Sequence, residues 1–353
     1  MSMDHVPRLV FWELTKECNL RCIHCRAEAE SSCFEGELSL EDILRVLDEI
    51  AAHYNPILVL TGGEPLYRKD VYQIASHARE RGLRTALATN GTLIDETSSR
   101  MIRDSGIQRV SISIDGSNAA SHDGFRGIPG SFDRALKGIS HLRSAGVEFQ
   151  INTTISRRNV DQIDEILKLA EATGAKALHL FMLVPVGCGV EIAESEMISK
   201  ETYESVLNWF YDRSKETGLE LKATCAPHYY RIIRQRAGRE GRKLSLETDG
   251  MAAVTRGCLA GTGVCFISHR GDVQPCGYLP VIAGNVLERP FHEIWENSDI
   301  FRSLRNLNNL TGKCGVCEYK TICAGCRARA YYESGDYLSG EPCCAYLPAK
   351  TRC

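Results

Sequence analysis

Three cysteines near the start of the chain, Cys18, Cys22 and Cys25, follow one another at C-x3-C-x2-C in the run WELTKECNLRCIHCRAEA. Three thiolates on one short loop can hold three irons of a four-iron cubane and leave the fourth iron open to an outside ligand. A four-cysteine site leaves none open. A zinc knuckle is the competing use; it needs a fourth ligand, for which His24 is available but cramped. A second set of thiols comes late in the chain. Cys258 and Cys265 stand at C-x6-C, and Gly271-x4-Cys276 follows. Cys314, Cys317, Cys323 and Cys326 then run at C-x2-C-x5-C-x2-C, ahead of Cys343 and Cys344. Paired C-x2-C runs serve cubanes and structural zinc alike. Cys33, Cys188, Cys225 and Cys353 are left over. A lone cysteine is more often a small buried hydrophobe than a ligand, and only Cys188, in VGCG after a strand, merits a test.

The rest of the composition gives those thiols their setting. The chain has 353 residues, a hydrophobic fraction of 43% and a net charge of −3. That length points to two domains, or to one barrel with an appendage. Mixed charge of this size leaves no electrostatic footprint for nucleic acid, and no apolar run reaches the roughly 18–20 residues of a membrane span. Asp4, His5 and Pro7 interrupt any secretory signal pattern, so the expected compartment is cytoplasmic. Disulfides are rare there, and dense cysteine reads as metal or redox chemistry. Of 16 cysteines, four fall in the first 33 residues and eleven after Ala223, which suggests two separate sites.

Between these clusters, short apolar runs alternate with amphipathic stretches. Strands are expected at 9–14, 57–60, 84–88, 109–114, 148–155 and 177–183, and helices at 40–53, 71–81, 94–105, 132–145, 160–173 and 199–217. Gly82, Gly106, Gly146, Gly174 and Gly218 each follow a helix, where a C-cap glycine belongs. Such alternation builds an α/β fold, a parallel sheet with helices outside. Six units are too few for a closed eight-fold barrel and predict an open, partial (β/α)6 TIM-like barrel over 1–219. A basic connecting segment is expected at 220–257, with Arg231, Arg234, Arg236, Arg239, Arg242 and Lys243 close together. A cysteine-rich domain at 258–353 has few long apolar runs, so metal would have to supply stability.

The triplet after the first strand resembles that of the radical S-adenosylmethionine (SAM) superfamily. There, three cysteines hold a [4Fe–4S] cluster that cleaves SAM to a 5′-deoxyadenosyl radical. His24 stands where that family usually has an aromatic residue on the cluster. TGGEP (61–65) resembles the SAM methionine-binding motif. Gly62 and Gly63 admit close backbone approach, Glu64 can pair with the ligand's ammonium, and Pro65 belongs to the same implied SAM-binding set. The same resemblance implies SAM contacts from Asn90 in ATNGT, from Ser113 and Asp115 in SISIDG, and from Arg126 in FRG. A guanidinium fork suits the SAM carboxylate. Asn152 in INTTI and Val184 in LVPVG would approach the adenosyl group. An iron–sulfur electron carrier, the contrasting class, needs no such pocket.

The C-terminal thiols resemble the SPASM extension of radical SAM enzymes, apart from x2 in place of x3 in the last spacing. That resemblance implies one or two auxiliary [4Fe–4S] clusters. One would take Cys258, Cys265, Cys276 and Cys326, the other Cys314, Cys317, Cys323 and either Cys343 or Cys344. Most SPASM enzymes modify peptides or proteins. Since the first strand begins by Arg8, there is no room before it for the leader-binding domain such enzymes often carry. HCRAEA, LVPVGCG, ATCAPHYYRI and CAGCRARAYYESGDYLSGEPCC instead resemble the tetrapyrrole-modifying branch. The nearest likeness is to the family that turns two propionates of iron-coproporphyrin III into vinyl groups, giving heme b. Its relatives deacetylate didecarboxysiroheme or build heme d1 precursors. The resemblance implies an electron donor such as flavodoxin or ferredoxin. The arginines of 231–243, with Arg327 or Arg329, could pair with propionates, and His228, Tyr229 and Tyr230 could face a porphyrin. A solvated helix face and core aromatics are the plainer uses of the same residues.

Overall fold

The structure, a computed structural model, describes residues 5–31, 35–249, 253 and 255–351, so Cys33 and Cys353 lie outside the described residues. Seven parallel strands pair in the order of the sequence. They are β1 (Leu9–Glu13), β2 (Ile57–Thr61), β3 (Arg84–Thr89), β4 (Arg109–Ser113), β5 (Phe149–Ile155), β6 (Ala177–Met182) and β7 (Glu220–Thr224). Helices between successive strands cover the outer face, as parallel pairing demands. The helix Leu40–His53 shows the local logic. Ser39 caps its start by accepting from Asp42 N, and Ile43, Val46, Leu47 and Ile50 fall on one buried stripe. At the other end of such units Gly174, at φ 78°, takes the left-handed C-cap and donates to Ala170 O and Glu171 O. Gly82, Gly106 and Gly146 share that φ region; Gly218, beyond the helix Lys200–Arg213, does not.

Two expectations change here. The alternation does not stop at 219: β7 continues the sheet beside β6, and the helix His228–Arg239 follows it. Its short, half-polar sequence ELKAT carries too weak a period to announce a strand. Nor does the cysteine-rich segment lack a core. β8 (Val264–Ile267) pairs parallel with β1, and β9 (Asp272–Gln274) and β10 (Gly284–Asn285) extend the same open sheet antiparallel. Phe291, Ile294, Trp295 and Phe301 are fully buried in the core shared with the barrel. Each contributes roughly 1.5–3 kcal/mol by burial. Among the described residues no helix is long and apolar enough to cross a membrane.

The candidate active site and its cysteine cages

A cavity of about 370 Å³ opens at the C-terminal ends of the strands, the usual site of chemistry in such barrels. Strand alternation decides what faces it. Leu9 and Phe11 of β1, and Val264 and Phe266 of β8, line it, while their neighbours Val10, Trp12, Cys265 and Ile267 point into the core. Also in its wall are Cys18, Cys22, Cys25, Gly62, Gly63, Asn90, Ser113, Arg126, Asn152 and Val184 from the barrel, with Cys258, Cys276 and Cys326 from the late segment. Ser113 and Asn152 are register partners on β4 and β5.

The glycines of TGGEP serve first to seat the cysteine loop. A Cβ on Gly62 would lie 2.6 Å from Thr15 O, and one on Gly63 would lie 2.5 Å from Glu17 O. Gly63 N donates to Thr15 O at 2.7 Å and Glu64 N to Glu17 O at 2.7 Å, so this turn fixes the backbone that leads into Cys18. Glu64 does not line the cavity, contrary to its expected ammonium contact. Its carboxylate accepts from Thr89 Oγ1 at 2.7 Å, Asn90 N at 2.8 Å and Leu66 N at 3.2 Å, which ties β2 to β3. Burial pushes its pKa up to about 7. Pro65, at the start of the following turn, is buried and likewise outside the wall.

Asp115 is also turned away from the cavity. Its Oδ1 accepts from Thr154 N at 2.7 Å, and its Oδ2 lies 2.6 Å from Arg126 Nη2. Arg126 therefore reaches the wall already paired, with Nη1 3.6 Å from Cys22 Sγ and Nε without a partner. His24 stacks on Phe125 at 4.0 Å, and burial holds its pKa well below the usual value, so it lines the cavity as a neutral ring. Cys188 N donates to Cys25 O at 3.0 Å, but its thiol is not in the wall.

The thiols fit iron–sulfur clusters better than zinc. Tetrahedral zinc at a Zn–S distance near 2.3 Å would hold its sulfurs about 3.8 Å apart. Among the described residues the one triad of ligand atoms within 4.8 Å of one another is Glu49, His53 and His292, and no cysteine triad is that tight. Cubane thiolates sit on different irons and need the wider cage. Burial pushes Cys18 up to about 12, so iron loading must drive deprotonation of this site.

The late cysteines separate into two cages. Cys314, Cys317, Cys323 and Cys344 surround a second, small cavity of about 30 Å³, together with His228, Arg231, Lys313, Lys320 and Tyr346. Cys344 is thus the one that faces this cage; Cys343 lies in the core cluster on the side of Arg329 and Cys326. Cys258, Cys276 and Cys326 face the large cavity, and Cys265 does not join them. It is fully buried on β8 opposite Val10, on the face away from the cavity, and the C-x6-C spacing from Cys258 gave no sign of that alternation.

The basic segment is likewise corrected. Arg231 pairs with Glu204 at 2.5 Å, Arg236 with Asp212 at 2.6 Å and Arg242 with Asp249 at 2.8 Å. Arg234 donates to Tyr230 O and Ala253 O. None of the six basic residues lines the large cavity. Arg329 is wholly buried against Glu341, and Arg327 reaches the wall but directs Nη1 to Tyr337 O and Ser339 O, Nε to Gly325 O and Nη2 to Cys314 Sγ. Tyr230 lines the cavity, whereas Tyr229 packs on Phe210 and His228 faces the small cage. Sequence reading missed Lys222, Tyr278 and Cys225, all in the cavity wall. Recognising β7 would have exposed Lys222, inside it, and Cys225, just past its C-terminal end.

Residues 12–170 match the family model of the radical SAM superfamily, and residues 258–327 match that of the SPASM iron–sulfur cluster-binding domain. The SuiB structure from Streptococcus suis bound to S-adenosylmethionine overlays with a TM-score of 0.75 at 17% identity, covering 97% of this chain and 78% of that one. Fold and thiols define a radical SAM enzyme with a C-terminal SPASM domain, which uses SAM, a [4Fe–4S] cluster and auxiliary iron–sulfur clusters. The chain is 54% identical to the AdoMet-dependent heme synthase of Methanosarcina barkeri, over 99% of both chains. It is 52% identical to the enzyme of that name in Nitratidesulfovibrio vulgaris, over 97% and 93%. The Fe-coproporphyrin III synthase of M. barkeri is 30% identical, over 97% and 88%. The chain belongs to the AdoMet-dependent heme synthase family.

Proposed function

We propose that this enzyme forms heme b by oxidative decarboxylation of two propionates of iron-coproporphyrin III to vinyl groups. For each propionate, a C–H bond β to the carboxylate breaks, the bond to the carboxylate breaks, and a C=C bond forms. CO2, one hydrogen atom and one electron leave. SAM at the N-terminal cluster supplies the acceptor for the hydrogen atom, once an electron donor of the flavodoxin or ferredoxin kind has reduced that cluster. An iron–sulfur cluster is a suitable acceptor for the surplus electron.

The observation that carries this reading is one cavity with two sets of thiols: Cys18, Cys22 and Cys25 on one part of its wall, Cys258, Cys276 and Cys326 on another. A substrate between them would have hydrogen abstraction and electron acceptance within one enclosure. Propionates also need cations, and with no member of the 231–243 basic cluster in the cavity wall Lys222 is the best placed. It stands in the cavity wall, exposed there, with no carboxylate partner among the described residues, so an arriving carboxylate would be its counter-ion. The heme synthase relatives, more similar than the Fe-coproporphyrin III synthase, support heme as the product. Anaerobic assays with iron-coproporphyrin III and with didecarboxysiroheme, resolved by chromatography, test the choice. Turnover of didecarboxysiroheme alone would assign the enzyme to deacetylation.

A further inference from the structure

With Cys265 turned into the core, the cage at the large cavity has three thiols where a closed cubane takes four. A fourth thiol stands in the same wall. Cys225 follows directly on β7 and lines the cavity with Cys258, Cys276 and Cys326. Cys225 and Cys276 pack against one apolar cluster that includes Cys326. The segment after Cys225 lies on the segment before Cys258: a Cβ on Gly257 would meet Pro227 Cβ at 2.6 Å. Burial raises the Cys225 thiol well above its ordinary pKa, and Cys326, Cys276 and Cys258 add to the shift against Arg329.

The backbone at this position is held in an uncommon form, which Glu28 and Ala324 share among the described non-glycine residues. Cys225 has φ 54°, in the left-handed region that non-glycine residues avoid. Two buried donors pin its carbonyl there, Arg329 Nη2 at 2.6 Å and Tyr203 Oη at 3.0 Å. Arg329 is in turn fixed by Glu341 at 2.9 Å. Strain of this sort is maintained where it serves a site, and here it accompanies a thiol in the cavity wall.

We infer that Cys225 is the fourth ligand of the auxiliary cluster at the cavity wall, with Cys258, Cys276 and Cys326, and that Cys265 is not a ligand. The barrel's last strand would then share a cluster with the late cysteine segment, outside the span of the iron–sulfur domain match. The four thiolates close this cluster, so no iron is left open to the substrate.

The test uses the full chain carrying Cys18→Ala, Cys22→Ala and Cys25→Ala, reconstituted anaerobically, so that only auxiliary clusters contribute. Iron content and low-temperature EPR of the reduced protein are compared for this parent and for added Cys225→Ala, Cys225→Ser or Cys265→Ala. The expected result is that Cys225→Ala loses one of two EPR signals and up to about four irons. Cys225→Ser should keep iron with shifted g values, and Cys265→Ala should match the parent. The unchanged signal of the second cage reports that the variants are folded; should the alanine variant fail that check, the serine variant decides. Unaltered iron and spectra in the Cys225 variants, or loss of a cluster in Cys265→Ala, would overturn the assignment. No step depends on the identity of the tetrapyrrole.

Discussion

The two late cysteine cages are built from interleaved stretches of chain yet meet different surroundings. One stands in the wall of the large cavity, in sight of the N-terminal triplet; the other closes round about 30 Å³ of its own. Their charges differ as well. Arg329 beside the cavity cage is cancelled by Glu341 at 2.9 Å, and Arg256 donates to Cys258 O. Lys313 and Lys320 line the small cage and donate to the carbonyls of Cys344 and Gly315, Arg327 Nη2 lies 3.5 Å from Cys314 Sγ, and Glu341, already paired with Arg329, is the carboxylate in the same wall. A cubane with four thiolates is anionic, and nearby uncompensated cations favour its reduced form. That contrast sets up a division of labour to test: one cage in the wall of the large cavity, where an electron would be taken, the other apart from it, where an electron would be held.

The sharpest break of that scheme lies in the triplet itself. Changing Cys18, Cys22 and Cys25 together to Ala should abolish 5′-deoxyadenosine formation and remove about four irons while both late cages stay loaded, as read by iron assay. Next comes the small cage. Cys317→Ala with Cys323→Ala should leave deoxyadenosine forming from SAM while vinyl product falls near background, because the surplus electron has lost its store. Equal loss of both products would deny the division.

Substrate binding gives an intermediate effect. Lys222→Gln should raise KM for the tetrapyrrole by roughly 10–100-fold, the value of a lost charge-assisted contact of about 1.5–3 kcal/mol, with kcat changed far less. A proportionate fall in kcat instead would assign Lys222 to chemistry. The smallest effect is a tuning one: Lys313→Gln should lower the midpoint potential of the small-cage cluster by tens of millivolts and leave the cavity cluster unchanged in a redox titration followed by EPR.

Glu64 offers a check on the barrel side. Its folded pKa of about 7 exceeds the 4.5 of an ordinary glutamate, so the folded state holds the proton more tightly. The resulting stability is complete below pH 4.5 and is lost as pH rises through about 7, a change of about 3 kcal/mol at most. Denaturant unfolding of metal-free protein across this range should show that fall, and Glu64→Gln should flatten it.

What could be read in the sequence follows from which signals are local. Strands β1 to β6 announce themselves by apolar runs, helped after β2 to β5 by helices that end in glycine, and the triplet by its spacing. β7 was hidden because ELKAT exposes Glu220 and Lys222. Its loss concealed Lys222 and Cys225 together. A ligand set carried over by resemblance does not show which face of a strand a thiol occupies: Cys265, implied as a ligand, faces the core, and Cys225, a left-over cysteine, lines the cavity. Charge runs carry the same ambiguity: the arginines of 231–243 looked free for an anion, and the acids that claim them, Glu204 and Asp212, lie on a different helix.

The stoichiometry of turnover separates propionate decarboxylation from deacetylation. In an anaerobic assay with iron-coproporphyrin III, deoxyadenosine, CO2 and new vinyl groups should appear in equal amounts. A monovinyl intermediate should precede the divinyl product, and the substrate mass should fall in two equal steps. Deoxyadenosine released without CO2, or acetate released from didecarboxysiroheme with iron-coproporphyrin III left untouched, would contradict propionate decarboxylation.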